Sequence, residues 1–301
     1  MNSGIVLSLA AYVCWGLLPM YLHLVRQAGA VEVVCHRIVW SCVLLTAYLL
    51  VTGRAGKLLA KLDRPMLARY ATAAVLISLN WGAYIWGVEH ERVLEVSLGY
   101  FIMPLVAVLL GRLYLGERLS RLQSAGVAIA TAGVVFLCLR SQSIPWISFI
   151  LAITFSLYSL VKKQATLPAG EGLALETLVI VLPALALMGW MDWRGNLTFL
   201  HQSAAMDALL AGTGIATIVP LLLFAAAVHR VELSLIGMLQ YVTPTLQFLV
   251  GYFVLSEPLP GVRLWGFAVI WTGLAVYLYD MARKARQQAR HPTCTPPESH
   301  A

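Results

Sequence analysis

The chain has 301 residues, of which 60% are hydrophobic and only 12% are charged, and it carries a net charge of +7. A soluble domain has about 25% charged residues, so this composition excludes an ordinary soluble protein and indicates side chains solvated by lipid. The basic residues lie in short loops and a C-terminal tail, which argues against nucleic-acid binding. The cysteines have no C-x-x-C spacing, so we expect no zinc site and no structural disulfide.

Ten apolar segments follow one another along the chain, separated by short loops. A membrane-spanning helix needs about 17 to 25 residues, and the sixth and tenth segments are the shortest. The sequence therefore predicts an all-α membrane protein with ten transmembrane helices. The segments are Gly4–Val25, Val33–Thr52, Tyr70–Val88, Leu94–Leu115, Leu122–Leu139, Trp146–Val161, Leu173–Trp190, Ala208–Val228, Leu233–Leu255 and Leu264–Tyr279.

Glycine, proline and glutamate landmarks recur at a constant offset of 140 residues. This register predicts two five-helix repeats, residues 1–140 and 141–282, followed by a basic disordered tail at 283–301. Because five is odd, the second repeat must enter the membrane in the opposite sense, which gives an inverted repeat. The matched pairs are Val88 with Val228, Pro104 with Pro244, Gly111 with Gly251, Glu117 with Glu257, Gly126 with Gly266, and Gly133 with Gly273.

The distribution of lysine and arginine sets the expected orientation. With the N-terminus in the cytoplasm, 14 basic residues fall in cytoplasmic segments and 6 in outer segments or their edges. Cytoplasmic loops carry the excess of positive charge, so we expect both termini in the cytoplasm of a bacterium whose inner membrane holds the chain. Glu117 would then lie at the inner face and Glu257 at the outer face.

Aromatic and amide side chains gather in the middle of several spans. An amide in hydrocarbon is costly unless it is hydrogen-bonded, so these groups should face the protein interior. We expect them to line a substrate-binding cavity, although interhelical hydrogen bonds and interfacial aromatic belts are alternatives. The candidates are Trp15, Asn80, Trp81, Tyr84, Tyr100, Gln240 and Tyr241.

Paired prolines and glycines occupy matched positions in the two repeats. Pro104 and Pro244 fall near the middle of the fourth and ninth spans. Each could act as a hinge that bends its helix around a central site, or as a packed kink. The glycines at 126 and 133, like those at 266 and 273, are seven residues apart and share a helix face, which favours close helix packing.

Ionisable residues near the span ends are candidates for gating or coupling. Arg37, next to His36 and one turn after Glu32, could extend to the interface or pair with Glu32 or Glu95 as an outer gate. Glu176 lies one turn into the seventh span and is either an inner-gate acid or a solvated helix start.

Catalytic and nucleotide-binding motifs are missing from the sequence. It has no H-E-x-x-H motif, no pair of intramembrane aspartates and no P-loop. We therefore expect neither an enzyme nor an ATP-driven pump, and no catalytic residues, metal or cofactor.

Several stretches resemble the RarD branch of the EamA-type drug/metabolite transporters. They are HRIVWS at 36–41, Asn80-Trp81, LEVSLGYFIMPL at 94–105, LGER at 115–118, VPLL at 219–222, and Gln240-Tyr241 followed by Pro244-Thr245. The resemblance covers nearly the whole chain. It implies ten helices in inverted repeats and a central cavity lined by the third, fourth, eighth and ninth helices. Met103 stands where members often have asparagine, so the polar contact expected there is replaced.

The expected function is that of an inner-membrane secondary transporter. It would export small amphipathic metabolites or drugs by alternating access, as a monomer or homodimer in the lipid bilayer. Two alternatives remain: a passive facilitator of the same fold, and a membrane scaffold that transports nothing.

Overall fold

The computed structural model describes residues 3–90, 92–139, 145–254 and 261–290. Within these ranges the regular secondary structure is entirely α-helical. The helices are α1 (Ser3–Leu24), α2 (Ala30–Val51), α3 (Arg54–Lys61), α4 (Arg64–Glu89), α5 (Val93–Tyr114), α6 (Arg121–Leu139), α7 (Trp146–Lys163), α8 (Ala169–Trp193), α9 (Ala204–Val228), α10 (Leu233–Leu239), α11 (Val242–Phe253) and α12 (Gly261–Arg290).

Nine helical segments of the described ranges are long and apolar enough to cross a membrane, when α10 and α11 are taken together as Leu233–Val250. The third predicted span falls on α4, which is 26 residues long but less apolar. Its polar and aromatic residues Asn80, Trp81 and Tyr84 lower its hydropathy. The chain is therefore a multi-pass, all-α membrane protein.

The ninth predicted span is divided rather than continuous. Helix α10 ends at Leu239 and α11 begins at Val242. Pro244 has no N–H to donate to the carbonyl of Gln240 four residues earlier, and its ring would clash with that carbonyl. The N–H of Thr243 donates to it instead, at 3.0 Å. Pro244 thus lies in the first turn of α11 instead of at a mid-helix bend, whereas Pro104 lies inside the continuous helix α5.

The chain forms two compact units, of which the first comprises Met1–Glu117 and Cys138–Leu259. In this unit the helices of the first predicted repeat pack mainly against those of the second: α1 on α9, α2 on α8 and α9, and α5 on α7 and α10. Its centre holds an aromatic cluster in which the ring of Phe224 lies 5.7 Å from Trp15, 5.8 Å from Phe155 and 6.4 Å from Tyr12 and Tyr158.

The second unit comprises Arg118–Leu137 and Pro260–Ala301, and so contains most of α6 together with α12. The two helices meet at their glycines, as predicted. A Cβ atom on Gly273 would lie 2.5 Å from the carbonyl oxygen of Gly126, and one on Gly126 would lie 2.7 Å from the carbonyl oxygen of Gly273. Only residues without a side chain allow such a close approach of two backbones.

The beginning of the predicted disordered tail is helical. Helix α12 continues to Arg290, so the expectation of disorder from residue 283 is wrong for residues 283–290, and residues 291–301 lie outside the described ranges. The extension includes Lys284, whose ammonium lies 3.2 Å from the carboxylate of Asp280 one turn earlier. Such pairs stabilise a helix. Glu257 also lies outside the described ranges, so its predicted position opposite Glu117 stays a prediction.

Candidate functional site

A cavity of about 830 Å³, part of it open to the surroundings, lies among the helices of the first unit. Its lining comes from α1, α2, α4, α5, α7, α9 and α11 and from the junction between α10 and α11. Both predicted repeats therefore contribute side chains. Six of the seven residues proposed from the sequence as substrate-binding border this cavity: Trp15, Asn80, Trp81, Tyr84, Tyr100 and Gln240.

Tyr241, the seventh candidate, is not among the lining residues. Its side chain is fully buried, and its hydroxyl donates to the carbonyl oxygen of Phe101 at 3.2 Å. The two rings stack with centroids 6.5 Å apart. Tyr241 therefore joins the α10–α11 junction to α5, because its hydroxyl finds a backbone acceptor there instead of the cavity.

The amides that border the cavity also bond neighbouring helices. Asn80 Nδ2 donates to the carbonyl oxygen of Leu151 at 2.9 Å and to the hydroxyl of Thr154 at 3.1 Å. Gln240 Nε2 donates to the sulfur of Met103 at 3.2 Å. Interhelical bonding and cavity lining were alternatives from the sequence, and these two residues combine them. At position 103 a thioether, which is a weak acceptor, takes the place of the expected polar partner.

Aromatic rings form much of the apolar wall. Trp15 meets Phe155 edge to face, with ring centroids 5.9 Å apart and planes at 81°. Such pairs contribute about 0.5–1.5 kcal/mol beyond the burial of their area, so this contact stabilises the packing of α1 against α7. Sequence reasoning missed Phe155, because a phenylalanine in an apolar helix carries no signal that separates a cavity wall from ordinary packing.

Arg37 is half-buried and borders the same cavity. Its Nε donates to the hydroxyl of Thr217 at 2.9 Å, and its guanidinium carbon lies 4.8 Å from the ring centroid of Trp81. This is a hydrogen-bonded cation–π arrangement. The predicted pairing of Arg37 with Glu32 or Glu95 is wrong, because those two carboxylates bond other groups. The alternative, extension of Arg37 to the membrane interface, stays a prediction.

Glu32 is completely buried and holds a loop in place. Its carboxylate accepts the backbone N–H groups of Thr198 and Phe199 at 2.9 Å. His36 lies 3.7 Å from the same carboxylate, and its ring centroid is 4.7 Å from that of Phe199. These two candidates for a gate therefore fix the loop before α9 to the start of α2.

Glu95 pairs with a different arginine from the one predicted. Its carboxylate lies 3.1 Å from the guanidinium of Arg92, three residues earlier, at the start of α5. An acidic group in the first turn also interacts favourably with the helix dipole. Glu95 thus stabilises the beginning of this helix.

Glu176 belongs to a buried ionic cluster, so it is not a solvated helix start. One carboxylate oxygen lies 2.6 Å from Nζ of Lys162, and the other accepts the hydroxyl of Tyr158 at 3.1 Å. A second cavity, of about 330 Å³, is bordered by Glu176, Tyr158 and Arg37. Sequence reasoning counted Lys162 among the loop charges and missed this pair.

Glu117 ties the end of α5 to the beginning of α10. Its carboxylate accepts the backbone N–H of Leu233 at 2.6 Å and that of Ser234 at 2.8 Å. The first amides of a helix have no partner within the helix, and a carboxylate satisfies them well. The repeat landmark Glu117 therefore positions the short helix that leads to Gln240.

The comparisons with known proteins agree with this picture. Residues 2–139 match the EamA-like transporter family. The chain is 41% identical to "Protein RarD" of Streptomyces exfoliatus over 95% of this chain and 91% of that protein, and 38% identical to "Uncharacterized transporter YojE" of Bacillus subtilis over 96% and 98%. One solved crystal structure of a protein shares the fold, with a TM-score of 0.71 at 17% identity over 92% of this chain and 97% of that one.

The chain is an all-α bundle of membrane-spanning helices around a polar and aromatic cavity, and its relatives are named transporters. These features define a multi-pass membrane transporter. Within that class the chain belongs to the RarD branch of the EamA-like transporter family.

Proposed function

We propose that this protein is an inner-membrane secondary transporter that exports small amphipathic metabolites or drugs by alternating access. The observation that carries the proposal is the cavity that both predicted repeats line with aromatic rings, amides and one arginine. A ligand site of this kind typically has mostly apolar walls and a few placed polar groups.

The proposed topology has ten spans, with α4 as the third and α10 with α11 as the ninth. Helix α4 has 26 residues, enough to cross a bilayer, and it carries the polar residues that border the cavity. The register of 140 residues and the excess of lysine and arginine in alternate loops support two inverted repeats with both termini in the cytoplasm. A C-terminal fusion to green fluorescent protein should fluoresce, while one to alkaline phosphatase should be inactive.

A difference between the matched spans supports alternation between two access states. Helix α5 is continuous through Tyr100 and Phe101, whereas the matched positions Gln240 and Tyr241 separate α10 from α11. The two proposed repeats thus differ in conformation at these positions. An exchange of these conformations would convert one access state into the other, and a substrate that binds one state more tightly would shift the populations.

Flux of labelled metabolites into or out of proteoliposomes tests the proposal. A bulky side chain inside the cavity, Gln247→Trp on α11, should abolish flux, while Leu249→Trp on the same helix should preserve it because Leu249 is exposed and does not border the cavity. Uphill accumulation that an uncoupler collapses would distinguish the secondary transporter from a passive facilitator. A scaffold would show no flux and no bound metabolite.

A further inference from the structure

Arg37 borders the cavity, and the described part of the chain gives it no acidic partner. Among the described residues no carboxylate oxygen lies within 4.0 Å of its guanidinium nitrogens, and its one hydrogen bond is the one to Thr217. A guanidinium has five N–H groups, and Nε–H is the one that this bond uses. The remaining four are on the two terminal nitrogens, which form the fork that matches a carboxylate.

The carboxylates considered as partners of Arg37 are engaged elsewhere. Glu32 accepts the amides of Thr198 and Phe199, Glu95 pairs with Arg92, and Glu176 pairs with Lys162 at 2.6 Å. Although Glu176 borders the smaller cavity together with Arg37, the ammonium of Lys162 already neutralises its charge. The positive charge of Arg37 therefore lies against the ring of Trp81 instead of a carboxylate, in a cation–π contact.

A charged side chain within a membrane-spanning helix is costly, and Arg37 lies within α2, so its position points to a function. The hydrogen bond to Thr217 and the contact with Trp81 restrict the guanidinium, so it is held in advance for a ligand. Arg37 is also the one charged residue in the part of the cavity wall that the structure describes. The rest of that wall is apolar or aromatic apart from the amides and the hydroxyl of Thr243, which suits a ligand with one negative group and an apolar body.

We propose that Arg37 binds the carboxylate of the transported molecule, and that the substrates are organic carboxylates with an apolar, commonly aromatic, body. This inference rests on the proposed transport function and names its substrate class. The aromatic rings of Trp15, Trp81, Tyr100 and Phe155 would hold the body, and the Arg37 guanidinium would hold the head.

Binding of a matched probe pair to the purified full-length protein tests the inference. The probes are 3-phenylpropionate and its neutral amide, 3-phenylpropanamide, which differ in charge and hardly in shape. We expect the wild type to bind the carboxylate about tenfold more tightly, because charge-assisted hydrogen bonds are the stronger ones. In Arg37→Gln this ratio should fall to about one. Arg69→Gln is the control, since Arg69 donates to the carbonyl of Gln164 outside the cavity and should keep the tenfold ratio.

Arg37→Lys keeps the charge but loses the bidentate fork, so its preference for the carboxylate should fall to about threefold. This variant tests the role of the guanidinium even if Arg37→Gln does not fold. The inference is overturned if the wild type does not bind the carboxylate more tightly than the amide, or if the preference survives in Arg37→Gln. Flux in proteoliposomes distinguishes this inference from the proposed function. If the amide is transported as readily as the carboxylate, the proposed transport function is supported and the carboxylate site at Arg37 is contradicted.

Discussion

Nζ of Lys162 on α7 lies 2.6 Å from Oε1 of Glu176 on α8, and both residues are almost fully buried, with 2% and 1% exposure. Removal of one partner from such a pair leaves an uncompensated buried charge. The hydroxyl of Tyr158 donates to the other carboxylate oxygen of Glu176, but it is neutral and cannot compensate the charge of either partner.

Glu176→Leu should therefore destabilise the protein by about 3–5 kcal/mol, and the double substitution Lys162→Met with Glu176→Leu should recover much of the loss. Thermal unfolding in detergent measures both. Asp192→Asn breaks the exposed pair with His201 and should change stability by less than about 1 kcal/mol. A double variant as unstable as the single one would show that the pair contributes more than charge compensation.

Gly273→Ala should separate α12 from α6, because its Cβ would lie 2.5 Å from the carbonyl oxygen of Gly126 and 2.6 Å from the nitrogen of Ala130. Backbone atoms cannot move aside, so we expect a loss of about 1–3 kcal/mol. Gly82→Ala on α4 is the matched control, with no described atom within 4 Å of its new Cβ, and should gain about 0.5–1 kcal/mol. Equal melting temperatures for the two variants would contradict this packing argument.

Pro244→Ala should join α10 and α11, because the restored N–H can donate to the carbonyl of Gln240. If Pro104 and Pro244 act as hinges from opposite sides, each alanine variant should bias the protein toward a different access state, and the double variant should be partly compensated. Cysteine accessibility at the two cavity mouths, on a cysteine-free background, measures the bias. A shift of both variants in the same direction, or no shift with normal flux, would mean that the prolines only pack.

Tyr241→Phe and Tyr100→Phe each remove one hydroxyl and should have different effects. The first loses the bond to the carbonyl of Phe101, so it should lower stability by about 0.5–1.5 kcal/mol and leave substrate affinity unchanged. The second alters the cavity wall and should weaken binding several-fold. Binding and melting curves on the same preparations distinguish the two. Loss of affinity in Tyr241→Phe alone would restore Tyr241 as a binding residue.

The cavity residues could be predicted because a polar group inside a span must face the protein interior. The same rule does not say whether the group borders a cavity, and the structure differs here between two residues predicted alike: Asn80 borders the cavity, while the hydroxyl of Tyr241 bonds the carbonyl of Phe101 away from it. The position of Pro244 likewise predicted a bend in the span, but the break lies one turn earlier, at Gln240, whose carbonyl accepts the N–H of Thr243 because Pro244 has no N–H.

The ionic partners could not be predicted, since they depend on contacts distant in sequence. Glu32 bonds amides that are 166 and 167 residues away, in a loop with no distinctive pattern. Lys162, at the end of a span, has the same local sequence signature as an exposed loop lysine, yet only 2% of it is exposed. Helix packing, rather than local sequence, decides which charges are buried together.

The sign of the charge at Arg37 also has an electrical consequence. A carboxylate held there would cross the membrane as an anion, and each 100 mV of potential contributes about 2.3 kcal/mol per elementary charge. A bacterial interior is negative, so the voltage itself would drive an anion outward without a coupling ion. Efflux of a carboxylate from proteoliposomes should then rise with an inside-negative potassium diffusion potential set by valinomycin, while efflux of its amide should stay constant.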